Sequence, residues 1–459
     1  MTTLIQNGRI ITATDDYVAD MLIDGEKIDL IGANLTLPAD RTIDARGKYV
    51  IPGGIDPHTH MELSVGAAVS SDDFETGTIA AAHGGTTTIL DFVTQSRTGT
   101  MHAALDAWMA IAEKSAIDYG VHMIIAHLPD DLLPEMDALV REGITSFKLF
   151  TAYPDRLQLD DGTLFKAMAR ARENGGLVMM HAENGSLIDY FIAQFLAAGK
   201  TTPNYHPLSR PHASEAEATH RVIALAELAG APIYIVHVSS RFAMEEIRAA
   251  RARGVRAFGE TCPQYLALAY EQYADGSFDG ARFVCSPPIR ERANQEPLWR
   301  ALGDDGLQTT ATDHCPFTTK QKERGRGNFT KIPNGVPGVE NRMHIVYQGG
   351  VVQRGWSMNR FVQVTSTAAA KLFGLFPRKG TIAVGSDADI VLWDPRRKYT
   401  ISAASQFTRV DYNPYEGTTI DGSPSLVMAR GRVIFEDDKF LGKRGQGEYL
   451  KRGMSAAAT

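Results

Sequence analysis

A chain of 459 residues with 44% hydrophobic and 22% charged residues can bury a large core and is ordinary for a soluble globular protein. Its formal net charge of −7 argues against nucleic acid as a partner, because phosphate binding needs a basic surface. No apolar run approaches the roughly 20 residues that span a bilayer, and no basic, apolar leader opens the chain. Its three cysteines (Cys262, Cys285, Cys315) have no paired spacing, so a cytoplasmic protein with reduced thiols and no membrane partner is expected.

Residues 1–51 alternate short β-rich runs with turn dipeptides, Asn7-Gly8 after Leu4-Ile5 and Asp24-Gly25 after Met21-Leu22-Ile23. Such dipeptides between apolar runs are the strongest short hairpin signals. Residues 378–459 resume the same grammar in Ala388–Trp393, Leu426–Met428 and Gly431–Phe435. Each piece is too small to bury a good core, so the two termini are expected to combine into one small β-sandwich-like domain. Between them, residues 52–377 carry short apolar runs at Ile55-Asp56, Thr86–Phe92, Val121–Ala126, Ile144–Phe150, Leu177–His181, Ile233–Val238, Val255–Thr261 and Leu307–Asp313. Helical-period stretches separate them, and several end at glycine (Gly84-Gly85, Gly143, Gly175-Gly176, Gly254), as helices entering αβ loops do. Eight strands alternating with helices predict a (β/α)8 TIM-like barrel. Alternation alone leaves a doubly wound open sheet as the competitor, although Pro52-Gly53-Gly54 precedes the first strand where that fold wants a glycine turn after it.

Polar residues cluster where the C-terminal ends of these strands should lie, the end at which barrels place catalysis. His58 and His60, two apart in an extended segment, face one way and can reach one metal. Strand 4 presents Lys148, strand 5 ends at His181, strand 6 reaches His237, and strand 8 ends at Asp313. Singly, each has a plain reading: a chance His-x-His, a satisfied core histidine, a misassigned strand lysine, a helix-capping aspartate. Together, four histidines, a lysine and an aspartate at one end of one barrel predict a metal site. Imidazole with carboxylate suits zinc first, then manganese or cobalt. The other nine histidines are expected to be structural or superficial, with His127 and His314 the nearest decoys.

These residues sit in segments that resemble the dihydropyrimidinase and hydantoinase family of the amidohydrolase superfamily, nearly end to end. The carrying motifs are Pro52–His60, Ser146-Phe147-Lys148, His181–Gly185, Gly259–Leu266, Ser286–Arg290, Thr312–Phe317, Ile332–Gly335 and Leu375–Gly380. The resemblance implies a cyclic amidohydrolase acting on 5,6-dihydropyrimidines or 5-substituted hydantoins and giving N-carbamoyl amino acids. It implies two divalent metals, most simply Zn2+, with a CO2-derived carbamate on Lys148 bridging them. His58, His60 and Asp313 would bind one metal, and His181 and His237 the other. It further implies that Asp313 acts as catalytic base, that Tyr153 stabilises the oxyanion, and that backbone groups at Ser286 and Asn334 hold the edge of a cyclic imide or ureide.

A homotetramer is implied too, with the tail around Gly442–Arg452 a candidate for its contacts. Dihydroorotase is disfavoured because Glu62 stands where that activity uses arginine. An allantoinase-type ureide hydrolase and a non-enzymatic assembly-forming relative are the alternatives. The apolar loop residues Leu63, Val65, Phe150 and Leu157 would accept an alkyl or aryl substituent without fixing its handedness.

Overall fold

In the computed structural model of the protein, which describes residues 1–457, strand β1 (Thr2–Ile11) runs through Asn7-Gly8 without turning. The turn expected there is a β-bulge: the register against β2 (Asp16–Asp24) shifts between Ile5 and Gly8, and Asn7 takes φ 61°. Tertiary packing decides this, since Asn7 N–H bonds Asp20 Oδ1 at 2.8 Å and a Cβ on Gly8 would lie 2.4 Å from Val50 Cγ2. Asp24-Gly25 does turn the chain, from β2 into the antiparallel β3 (Lys27–Gly32). Strands β4 (Arg41–Asp44) and β5 (Tyr49–Pro52) then run parallel to β1.

The middle of the chain supplies β6 (Gly54–Thr59), a small hairpin of β7 (Ser64–Val65) and β8 (Ala68–Val69), then β9 (Thr86–Thr94), β10 (Asp118–Ile124) and β11 (Ser146–Phe150). It continues with β12 (Leu177–His181), β13 (Ile233–Ile235), β14 (Ala257–Thr261) and β15 (Thr309–Thr310). Except for the hairpin, these form one eight-stranded sheet in the order β15-β14-β13-β12-β11-β10-β9-β6. Every neighbouring pair is parallel, with helices such as Phe74–His83, Asp161–Asn174, His212–Ala229 and Arg241–Ala252 in the crossovers. The sheet closes: Thr59 bridges His314, Asp313 N–H bonds His58 O at 2.9 Å, and His60 N–H bonds His314 O at 2.9 Å. That excludes the open doubly wound sheet. The expected eighth strand over 307–313 pairs only at Thr309–Thr310, because Thr312 is drawn onto Asp56 (Oγ1 to Oδ2, 2.6 Å) and Asp313 leaves the strand at φ 52°.

Inside the barrel Ile55, Leu90, Ile124, Met179 and Val236 pack in layers, and outside it helices and strands share a larger apolar core. The chain returns to the terminal sheet through β16 (Ile390–Thr400), β17 (Thr419–Ala429), β18 (Arg432–Glu436) and β19 (Lys439–Phe440). The terminal strands make one continuous mixed sheet, β19-β18-β17-β16-β5-β1-β2-β3, with β4 beside β1. It folds back on itself, since Lys27 at its far edge bridges Asp387 next to β16, and both arms enclose Ile5, Met21, Ile23, Val50, Ile390, Leu392 and Met428. The tail lies against the barrel strands and their connections, with Leu450 N–H bonding Tyr119 O and Arg452 N–H bonding Gly143 O. Among the described residues no helix is long and apolar enough to cross a membrane.

Candidate metal centre and substrate cavity

Strand alternation in β6 sends His58 inward, and the following residue but one, His60, leaves the strand end on the same side. Their Nε2 atoms lie 3.2 Å apart, and each is 3.2 Å from Asp313 Oδ1. Lys148, on the inner face of β11, places Nζ 2.9 Å from His58 Nε2 and 4.2 Å from the Phe92 ring centre. His181, at the end of β12, puts Nδ1 2.9 Å from His237 Nε2. All six sequence-predicted ligands therefore meet at the C-terminal mouth. His237, Asp313 and Tyr153 sit at φ 41°, 52° and 65°. Such backbone costs about 1–3 kcal/mol per residue and persists where the surroundings over-determine it, as at functional sites.

Carboxylates behind the histidines orient them. His58 Nδ1 donates to Glu260 Oε1 at 2.5 Å, which aims Nε2 at His60, Asp313 and Lys148 Nζ. Likewise His181 Nε2 donates to Glu183 Oε2 at 3.0 Å, freeing Nδ1 toward His237. Imidazole nitrogens and a carboxylate aimed at one point in a buried site make a donor set that suits a divalent cation. The ligand atoms of His58, His60 and Asp313 all fall within 4.8 Å of one another, so this group can hold a divalent ion. Burial pushes His60 down to about 4 and His237 far down, keeping both imidazoles neutral. Burial alone would raise the Asp313 carboxyl, but His58 and His60 outweigh it and hold it well below the usual carboxylate range. Lys148 is pulled down to about 8 by burial, against the opposing pull of Asp313 and Glu260.

The cluster opens into a cavity of about 850 Å³. Tyr153, Ser286 and Asn334 line it, as do Leu63, Val65, Leu157 and Phe150, the last of these at the end of β11 rather than in a loop. Asn334 Nδ2 donates to Ser286 Oγ at 2.9 Å, and burial raises the Tyr153 phenol to about 12, so it stays a donor at neutral pH. The decoy histidines stay out. His127 is exposed, His314 is held between Asp72 (3.0 Å) and the Gly338 N–H, and His122 lies deeper in the barrel on Ser146 Oγ and Pro57 O. The orienting groups Glu260, Glu183 and Arg210 (on Glu183, 3.1 Å) lie outside the predicted site. Glu260 carried a readable signal, a carboxylate on a buried strand, of the same kind that singles out Lys148.

A closed parallel barrel with this His-His-Asp group at its mouth defines a metal-binding hydrolase of the amidohydrolase class, and the Amidohydrolase family model matches residues 49–434. A D-hydantoinase from Geobacillus stearothermophilus is 51% identical over 460 residues, covering 100% of this chain and 98% of that protein. The crystal structure of dihydropyrimidinase from Brevibacillus agri NCHU1002 superposes with a TM-score of 0.98 at 50% identity, over 99% of this chain and 100% of that one. An L-hydantoinase (dihydropyrimidinase) from Arthrobacter aurescens gives a TM-score of 0.89 at 30% identity, over 98% of this chain and 99% of that one. The chain belongs to the dihydropyrimidinase/D-hydantoinase family of the amidohydrolase superfamily.

Proposed function

We propose that the protein hydrolyses the ring amide of 5,6-dihydropyrimidines and 5-substituted hydantoins to N-carbamoyl amino acids. One observation carries this reading: six ligand-type side chains converge at one end of the barrel beside a cavity lined in part by apolar residues. His58, His60 and Asp313 would hold one divalent ion, and His181 and His237 a second, with zinc the best fit to the donor set. Such ions lower the pKa of water to about 7 and polarise carbonyl oxygens. A carbamate on Lys148, formed when the deprotonated Nζ adds CO2 and releases a further proton, would replace a costly buried cation with an anion able to help hold the ions.

Asp313 then takes the proton of the attacking water and delivers it to the ring nitrogen as the C–N bond breaks. The Tyr153 hydroxyl donates to the developing oxyanion, while backbone groups at Ser286 and Asn334 hold the polar ring edge. Leu63, Val65, Phe150 and Leu157 receive the exocyclic substituent. The D-configured substrates are favoured, because the D-hydantoinase relative is 51% identical and the L-hydantoinase 30%. A homotetramer is the family's assembly and is proposed for this chain as well.

Steady-state kinetics of zinc-loaded protein on dihydrouracil and on both enantiomers of a 5-alkyl or 5-aryl hydantoin test the reading. Turnover of the cyclic amides, D over L, is expected, with dihydroorotate poor. Faster turnover of dihydroorotate or allantoin than of every hydantoin would refute it.

A further inference from the structure

Lys322 closes the short helix Thr319–Lys322 and is fully enclosed, with 0% of its surface exposed. Among the described residues no carboxylate meets it. Its Nζ donates instead to three main-chain oxygens: Val284 O at 3.0 Å, Pro333 O at 3.1 Å and Gly335 O at 2.8 Å. Burial pushes its pKa down to about 7, yet three acceptors around one nitrogen call for three N–H bonds, which only the ammonium form has. A buried cation without an anion is expensive, and three charge-assisted hydrogen bonds are what offsets it.

The three oxygens are not scattered over the fold. Val284 stands two residues before Ser286, and Pro333 and Gly335 flank Asn334. The same two segments are tied directly by Gly335 N–H to Val284 O at 3.0 Å and by Asn334 Nδ2 to Ser286 Oγ at 2.9 Å. They also press on the chain just past Asp313. A Cβ on Gly335, at φ 146°, would lie 2.2 Å from Cys315 O, and Cys315 N–H bonds Val336 O at 3.2 Å. Ser286, Asn334 and Gly335 meanwhile line the cavity. The ammonium thus gathers the outward carbonyls of both segments to one point, and the spacing of their cavity-facing groups follows.

We infer that Lys322 is a positioning residue for substrate binding: it fixes the distance and angle at which the Ser286 and Asn334 segments meet the polar edge of a cyclic imide or ureide. The inference rests on the proposal that those two segments hold the ring edge. A binding site of fixed polar groups rejects a ligand that leaves one of them unpaired, and it loses that discrimination when the groups are free to shift.

The test is steady-state kinetics of the zinc-loaded full chain on dihydrouracil and on a ring N-methyl dihydrouracil, which lacks one ring-edge donor. For the unaltered protein, KM should be about tenfold or more higher for the methylated ring. Lys322→Met keeps the stem and removes the donors. It should raise KM for dihydrouracil about tenfold, hold kcat within about threefold, keep the metal content, and narrow the gap between the two substrates. Lys322→Arg should behave alike, because a planar guanidinium cannot aim three donors at three oxygens around one point, and it takes over the comparison if the methionine variant does not fold.

Unchanged KM and unchanged discrimination in either folded variant would overturn the inference. So would a joint fall of kcat and metal content at constant KM, or the failure of both variants to fold, which would make Lys322 a staple of the fold. Absence of discrimination in the unaltered protein would strike the ring-edge proposal instead.

Discussion

Replacing Glu260 by Gln removes one charge and almost no volume, at a position with 0% of its surface exposed. The carboxylate serves both halves of the candidate metal centre. Oε1 accepts from His58 Nδ1 at 2.5 Å and from the His237 N–H at 3.1 Å, while Oε2 accepts from Tyr234 OH at 2.7 Å. Glutamine keeps an oxygen for the His237 N–H, and Tyr234 OH can turn to Thr309 Oγ1, 2.5 Å away. The loss is therefore confined to the charged partner of His58. A hydrogen bond to a charged group contributes about 1.5–3 kcal/mol, and solvent does not screen this one. The retained oxygen still accepts a neutral hydrogen bond of about 0.5–1.5 kcal/mol from His58, so the loss is about 1–1.5 kcal/mol. At ~1.4 kcal/mol per tenfold this is a fall in zinc affinity of about 5- to 12-fold, near the lower end of the ~10–100-fold seen when such orienting groups are mutated. Competition against a chromophoric chelator measures it directly, with thermal unfolding of the metal-free forms as the control for folding. An affinity within about twofold of the unaltered protein would show that the Glu260–His58 contact does not orient the ligand.

Lys148→Ala should lose at least one equivalent of metal and nearly all activity, with partial return of both in acetate or propionate; full metal content by elemental analysis would dismiss the carbamate bridge. His83 offers a stability test remote from the site. Burial alone would lower its pKa, but hydrogen bonds with Asp438 and Glu340 outweigh it and raise it to about 9. Because the folded pKa exceeds the unfolded ~6.5, this stabilisation is full below pH ~6.5 and is lost as pH rises through about 9. His83→Gln should narrow the difference in urea stability between pH ~6 and pH ~9.5, and an equal difference in both proteins would contradict the assignment.

Periodicity in the chain was enough to predict alternating strands and helices and to place the ligand-type residues on the strands, while closure of the barrel over an open sheet was decided by the tertiary structure. Two-residue spacing in β6 puts His58 and His60 on one side, apolar runs ending in His181 and Asp313 mark strand ends, and Lys148 falls within such a run, because strand geometry is local. Motif resemblance added the pairing of ligands, which spacing alone cannot carry. Other features depended on partners distant in sequence. Asn7-Gly8 has the composition of a hairpin turn, yet Asp20 and Val50 make it a bulge. Strand 8 is cut to two paired residues by Asp56, some 250 positions earlier in the chain. Glu260 and Lys322 read locally as a strand residue and the end of a short helix, and only closure of the barrel brings His58 to one and three loop carbonyls to the other. Local backbone preference is written residue by residue, whereas the partner of a buried charge is set by whichever segments the tertiary fold brings beside it, since burial makes an unmatched charge too costly to keep.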